Sequence, residues 1–199
     1  IRAITKDPGY DSSVELGAKA GNDDYSSLSV LAGGPLSDAF RGQIASWIEK
    51  RGGLATNLVP SARSQADDLD RQSLRAKLLW DVGERVTAKL GASWWRYTDW
   101  IGRDLVSTGA PETNRGVALY GGITSLDDEH FAPALEGDND MRDTAVDLRF
   151  DVDAGALKFV SVTTYTEGDF AQTFDTDLSS IALLDNYATE ASTDVSQEF

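Results

Sequence analysis

The sequence of 199 residues has no cysteine and a single histidine, His130. Without cysteine there is neither a disulfide framework nor a thiolate metal site. One histidine leaves little from which to build a Ser–His–Asp or Cys–His catalytic arrangement. The G-x-G-x-x-G, Walker A and G-x-S-x-G patterns are absent, and the many carboxylates have no spacing that singles out a catalytic pair. We therefore expect no enzyme activity, no bound cofactor and no metal.

Basic residues are scarce, and long apolar runs are missing. The chain has 18 Lys and Arg against 33 Asp and Glu, a formal net charge of −15. A general nucleic-acid-binding surface needs clustered Lys and Arg, so this balance argues against one. No apolar run approaches the roughly 18 residues of a membrane helix. The mean hydropathy of −0.32 is still compatible with a membrane barrel, because barrel strands alternate apolar and polar residues.

The sequence does contain repeated apolar–polar alternation with a period of two, which is typical of strands with one apolar face. In the clearest segment one side carries Leu74, Ala76, Leu78 and Trp80, and the other carries Arg75, Lys77 and Leu79. The same pattern predicts eight strands, at about 12–21, 24–34, 39–51, 69–81, 85–98, 141–153, 157–170 and 189–199. We therefore predict an all-β, antiparallel protein.

Short and long connections alternate between these strands. Turn-favouring residues form the tight turns at 35–38, 82–84 and 153–155. The long polar connections are 52–68, 99–140 and 171–188, and the short turn at 22–23 falls on their side. Bacterial outer-membrane barrels have short periplasmic turns and long extracellular loops. The alternation thus predicts a transmembrane barrel segment whose long connections lie outside the cell.

Several motifs resemble those of TonB-dependent outer-membrane receptors. The opening, Ile1 to Pro8, is similar to the I-x-x-x-T-K-x-P end of that family's plug domain. The segments that resemble successive barrel strands are 14–21, 28–38, 40–53, 75–80 and 194–199. The resemblance implies a 22-stranded barrel, with 1–10 as the end of the plug domain and 11–199 as about eight first strands. Both ends of the chain look cut, so we expect a part of a larger receptor.

The resemblance also implies a function. It is active uptake of a scarce nutrient, first an iron–siderophore complex, then a vitamin or a carbohydrate. The location would be the outer membrane of a Gram-negative bacterium, with outer-membrane lipid around the barrel. The TonB complex would supply energy through the plug, and pulling on the plug would open a path for the ligand.

Two groups of residues are candidates for ligand contacts. Trp95 and Tyr97 share the polar side of their strand, where aromatic rings can stack on a siderophore or a sugar. We favour the alternative, that they belong to the upper aromatic girdle or pack against the plug. The acidic cluster in the longest connection consists of Asp127, Asp128, Glu129 and His130. Its oxygens would suit a hard cation, but we favour a solvated acidic loop, because no spaced ligand pattern of the EF-hand kind is present. Asp175 and Asp177 raise the same question.

Three cations on the polar sides of the strands, Arg75, Lys77 and Arg149, are expected to line the lumen. There they would pair with plug carboxylates or be solvated.

Two other architectures remain open at this point. A small closed barrel of eight strands, structural or adhesive, predicts pairing between the strands at 12–21 and 189–199. A soluble carbohydrate-binding β-sandwich predicts that Leu74, Leu78 and Leu90 lie in a dry core between two sheets.

Overall fold

The computed structural model describes residues 6–59, 63–101, 119–123, 129–135, 137–177 and 179–199. These contain the strands β1 (Ser13–Ala20), β2 (Ser26–Pro35), β3 (Phe40–Arg51), β4 (Ala55–Asn57), β5 (Gln65–Ala66), β6 (Leu69–Asp81), β7 (Val86–Ile101), β8 (His130–Phe131), β9 (Gly137–Asp153), β10 (Lys158–Asp175) and β11 (Asp185–Glu198). Within these ranges no helix is long and apolar enough to cross a membrane. Residues 1–5, which open the plug-like motif, lie outside them.

Eight of the strands form one antiparallel sheet in the order β1-β2-β3-β6-β7-β9-β10-β11. The eight predicted strands and the all-β class are therefore confirmed. The connections predicted at 99–140 and 171–188 were drawn too long, because four strands extend into them. β7 and β9, for example, remain paired as far as Ile101 opposite Gly137. Gly, Asp and Asn are rare in strands, so the sequence 137–140 does not predict a strand. These residues are part of β9 because they pair with β7.

The sheet is open within the part of the chain that is described. β1 pairs with β2 and β11 pairs with β10, and the two outermost strands do not pair with each other. The pairing required by a closed eight-stranded barrel is therefore not found. The sandwich expectation is wrong as well, since Leu74 and Leu90 are 45% and 44% exposed rather than enclosed in a dry core.

The ladder register separates the sheet into two faces, because residues directly opposite each other on neighbouring strands point to the same side. The apolar face carries exposed large side chains, among them Leu28, Val30, Ile44, Ile48, Leu74, Leu90, Val146, Leu148 and Phe150. The polar face carries Glu49, Arg71, Arg75, Lys77, Lys89, Asp147, Arg149 and Asp151. An apolar face left exposed over neighbouring strands is the arrangement of a membrane barrel wall.

Aromatic side chains mark both ends of the apolar face. At the tight-turn end, Trp80 stacks on Phe40 with ring centroids 5.5 Å apart. At the other end, Trp94 lies opposite Thr144 and is 36% exposed. Aromatic side chains at the two edges of an apolar band are expected where a barrel meets the two membrane interfaces.

The three predicted tight turns are present. Val82 N–H donates to the Val86 carbonyl at 2.8 Å, and Ala154 N–H donates to the Leu157 carbonyl at 2.9 Å. The intervening Gly83 and Gly155 have φ of 126° and 83°, a region that glycine enters without steric cost. The sequence 35–38 closes in the same way, with Leu36 N–H donating to the Phe40 carbonyl at 2.7 Å.

Parts of the connections 52–68 and 99–140 form a small second sheet that was not predicted. β4 pairs with β5 and, in parallel, with β8. The cluster beneath them consists of Ala55, Ala66, Trp100 and Phe131, each at most 2% exposed. Trp100 meets the Phe131 ring edge-on at 5.2 Å between centroids. This end of the main sheet is thus capped by packed chain.

Leu90→Arg should impair assembly, whereas Thr164→Arg on the polar face should not. Arginine on a lipid-facing strand position costs about 2–4 kcal/mol at the membrane midplane, while Thr164 lies opposite Asp147 on the polar face. The full-length protein, folded into vesicles, would be assayed by heat-modifiable gel mobility. Equal assembly of both variants would contradict the assignment of the two faces.

Candidate ligand site

A concavity of about 920 Å³ lies on the polar face, toward the end that carries the long connections. Its lining includes Trp47, Trp95, Tyr97, Arg71 and Arg75. The predicted candidates Trp95 and Tyr97 therefore share one surface, together with a third aromatic ring and two cations.

Alternation of large and small side chains creates this space. Ser73 lies directly opposite Trp47 on one side and Trp95 on the other. Neighbouring strands are about 4.8 Å apart, so the two tryptophan backbones are separated by roughly 10 Å. The next row carries Ala45, Arg75 and Ser93, in which only the arginine is large. The small residues leave a floor between two indole rings, wide enough for a flat or compact group.

A chain of polar contacts crosses the upper rim of this concavity. The Tyr25 hydroxyl donates to Glu49 Oε1 at 2.8 Å, and Glu49 Oε2 lies 3.8 Å from Arg71 Nη1. The Arg71 guanidinium lies 5.0 Å from the centroid of the Tyr97 ring, a cation–π distance. The Tyr97 hydroxyl in turn donates to Asp99 Oδ2. These contacts fix the orientation of Arg71 and Tyr97 before any ligand arrives.

Two further details concern the chemistry of this rim. The hydrogen bond to the Glu49 carboxylate raises the pKa of the Tyr25 hydroxyl above its ordinary value, so this phenol stays protonated as a donor. The indole N–H of Trp47 donates to Ser27 Oγ at 3.0 Å. That bond leaves the Trp47 ring face as its available surface.

Arg75 differs from Arg71 in its surroundings. It is exposed on the polar face between Ala45 and Ser93. It makes no hydrogen bond or ion pair with any residue in the described ranges. A guanidinium in this setting offers a fork of donors to an anion.

Of the acidic cluster, the two described members, Glu129 and His130, do not line this concavity. Asp127 and Asp128 lie outside the described residues. The Glu129 carbonyl accepts from Thr56 N–H at 2.8 Å, and His130 belongs to β8, opposite Thr56. His130 is therefore part of the small second sheet, and Glu129 is hydrogen-bonded to that sheet through its carbonyl. No cluster of three metal-capable side chains occurs among the described residues.

Asp175 and Asp177 serve the local fold of their turn. The buried Asp175 carboxylate accepts from the main-chain N–H of Ala134 at 2.7 Å and of Asp177 at 3.0 Å. The Asp177 carboxylate accepts from Leu183 N–H and Leu184 N–H at 3.2 and 3.1 Å. The structure thus gives both carboxylates a role as acceptors of backbone donors.

Comparison with known proteins places this geometry in a wider context. No family model and no curated protein matches the sequence. Solved structures do match. The open form of the ferric-catecholate import receptor Fiu from E. coli K12 is similar over 98% of this chain, with a TM-score of 0.64 and 15% identity. The siderophore receptor PiuA from Acinetobacter baumannii is similar over 85%, with a TM-score of 0.65 and 9% identity. This chain has the fold of the TonB-dependent receptor barrel.

The likeness has two limits. At sequence identities of 9–15%, the likeness concerns the fold alone. The chain also spans only 30% of the Fiu chain in the open form, 28% in the closed form, and 23% of the PiuA chain. The matched proteins are named as receptors, Fiu for ferric-catecholate import and PiuA for siderophores.

Sequence reasoning missed Trp47 and Arg71 as members of the site. The signal was available, because Trp47 alternates with Ile44 and Ile48 in the same way that Trp95 alternates with Trp94. The sequence does not give the register between strands. That register brings β3, β6 and β7 side by side and places Trp47 and Trp95 on either side of Ser73.

Asp175→Ala should destabilise the turn that follows β10 by about 1–3 kcal/mol, because two backbone N–H groups lose a buried acceptor. Hydrogen exchange at the amides of Ala134 and Asp177 would measure the effect, with the exposed Asp185→Ala as the control. Strong protection of these amides by added Ca²⁺ in the unmodified protein would instead favour a cation site.

Proposed function

We propose that this chain forms part of the wall of an outer-membrane receptor that takes up an iron–siderophore complex in a TonB-dependent manner. The observation that carries the proposal is the concavity bounded by Trp47, Trp95 and Tyr97, with Arg71 and Arg75, on a sheet whose other face is an apolar band. Its fold likeness to receptors named for ferric catecholates and siderophores supports the choice of ligand.

In this proposal each face of the sheet has one task. The apolar face meets the lipid of a Gram-negative outer membrane, and the polar face lines the lumen. The tight turns then lie on the periplasmic side, and the capped ends with the small second sheet lie outside the cell. Residues 1–10 would end a plug domain and residues 11–199 would supply the first barrel strands. The TonB complex would act on that plug.

The wall would hold an aromatic, anionic ligand by two kinds of contact. The Trp47 and Trp95 rings offer faces for stacking on a planar group. Arg75 offers its guanidinium to negative charge, in a lumen where water is partly displaced and charge attraction is stronger than in bulk. A neutral vitamin or carbohydrate would stack on the aromatic faces and would gain less from the charge of Arg75.

Trp95→Ala should weaken binding of the ferric siderophore about tenfold, which corresponds to a stacking contact of about 1.4 kcal/mol. Trp94→Ala is the matched control, because the neighbouring tryptophan points to the apolar face. Equilibrium binding to the purified full-length receptor, followed by quenching of tryptophan fluorescence, is the measurement. A ligand site on this wall is disproved if both variants bind as the unmodified receptor does.

Arg75→Gln should weaken binding of an anionic ferric siderophore by about ten- to a hundredfold, the value of a charge-assisted hydrogen bond of about 1.5–3 kcal/mol. Binding of a neutral vitamin or sugar should stay unchanged. Titrations with one ligand of each kind make the comparison. Unchanged siderophore affinity would show that Arg75 does not contribute to ligand binding.

A further inference from the structure

Residues 6–10, here called the N-terminal segment, are bound to the polar face near the tight turns. Lys89 Nζ donates to Asp7 Oδ2 at 2.7 Å, and Lys77 Nζ donates to Asp7 Oδ1 at 3.2 Å. Lys77 Nζ also donates to the main-chain carbonyl of Lys6 at 3.1 Å. One carboxylate is thus held by two cations, one of which, Lys77, also binds the adjacent backbone.

A third cation holds the next part of the N-terminal segment. Arg41 Nη1 donates to the carbonyl of Pro8 at 3.3 Å, and the Arg41 guanidinium lies 3.9 Å from the centroid of the Tyr10 ring. Arg41 is itself oriented by Asp81, with Nη2 and Oδ2 2.9 Å apart, and its side chain is only 13% exposed. Pro8 is buried in this contact. Segment and wall are therefore joined by ionic, hydrogen-bond and ring contacts.

The three cations come from three neighbouring strands. Arg41 lies opposite Leu79, and Leu79 lies opposite Lys89. Lys77 is two residues from Leu79 on the same face. The ladder therefore fixes the spacing of the cations independently of the segment. Partial burial acts against the charge on Asp7, but the two lysines outweigh it and lower the pKa of that carboxyl.

Only two residues separate these contacts from β1. Asp11 and Ser12 are both exposed. A force that enters through the backbone before residue 6 meets the contacts of Asp7, Pro8 and Tyr10 before it reaches β1.

We infer that Asp7, with Lys77, Lys89 and Arg41, forms a mechanical anchor that stays closed while the preceding polypeptide is pulled and that prevents unfolding from spreading into β1. This inference rests on the proposed function, in which the plug is pulled from the periplasm. The anchor allows preceding chain to be displaced and returned while the barrel wall keeps its strand order.

Pulling the full-length receptor in a lipid bilayer from its N-terminus, one molecule at a time, tests the anchor directly. In the unmodified receptor, extension should halt before residue 7. In Lys77→Gln/Lys89→Gln the extension at which the halt occurs should be longer by at least about 20 Å, because the six residues 7–12 each add about 3.5 Å. Lys19→Gln/Lys158→Gln is the control with the same change in charge, since both lysines are exposed and away from the segment.

The pulling results decide as follows. A halt at the same extension in all three proteins overturns the anchor, and so does an equal lengthening in the control pair. Each protein is first shown to be assembled by its heat-modifiable gel mobility. If the double lysine variant fails to assemble, Asp7→Asn takes its place, since it removes the charge with little change in shape.

A cross-link tests whether the anchor stays closed during uptake. The chain contains no cysteine, so Asp7→Cys/Lys89→Cys gives the only thiol pair in this part of the receptor. A bifunctional thiol reagent with a spacer as long as the lost lysine side chain joins them. Uptake should remain within about twofold of the reduced protein, and loss of uptake on cross-linking would overturn the inference. If unmodified cells show no siderophore uptake, the proposed function fails, while the pulling result still decides the anchor.

Discussion

The backbone hydrogen-bond ladder of the main sheet is the constraint on which the rest of the structure depends. In an extended strand successive side chains point to opposite sides, so a fixed register assigns each residue to one face. A slip of one residue in β6 would place Arg75 and Lys77 on the apolar side and Leu74 and Leu78 on the polar side. The register is therefore strongly specified, because one face is continuously apolar and the other carries most of the charge.

The same register accounts for both regions of interest on the polar face. In the upper part, Ser73 lies between Trp47 and Trp95, and the small side chain leaves room between large rings. In the lower part, Arg41 and Lys89 flank Leu79, and a carboxylate from another part of the chain meets the lysine. The upper part thus combines aromatic rings with two arginines, and the lower part holds the lysines that bind Asp7.

Much of this fold was predictable, because period-two alternation and turn residues are local signals. Alternation around Leu78, Leu90 and Leu148 located three strands, and Gly83 and Gly155 marked two turns. The small sheet of β4, β5 and β8 was not predictable. β5 and β8 have two residues each, too few to show any period, and they are strands only because Trp100 and Phe131 pack together with Ala55 and Ala66. The ends of β7 and β9 were missed for a related reason, since each is stabilised by its neighbour.

The sequence alone determined that the protein is all-β, that its strands have one apolar and one polar face, and that Trp95 and Tyr97 share the polar one. These properties follow from the geometry of a single strand. Only the tertiary structure decided that Trp47 and Arg71 complete the concavity, that Glu129 and His130 lie elsewhere, and that Asp7 binds Lys77 and Lys89. Those contacts join residues separated by tens of positions in the chain, and their existence depends on which strands are neighbours and in which register they pair.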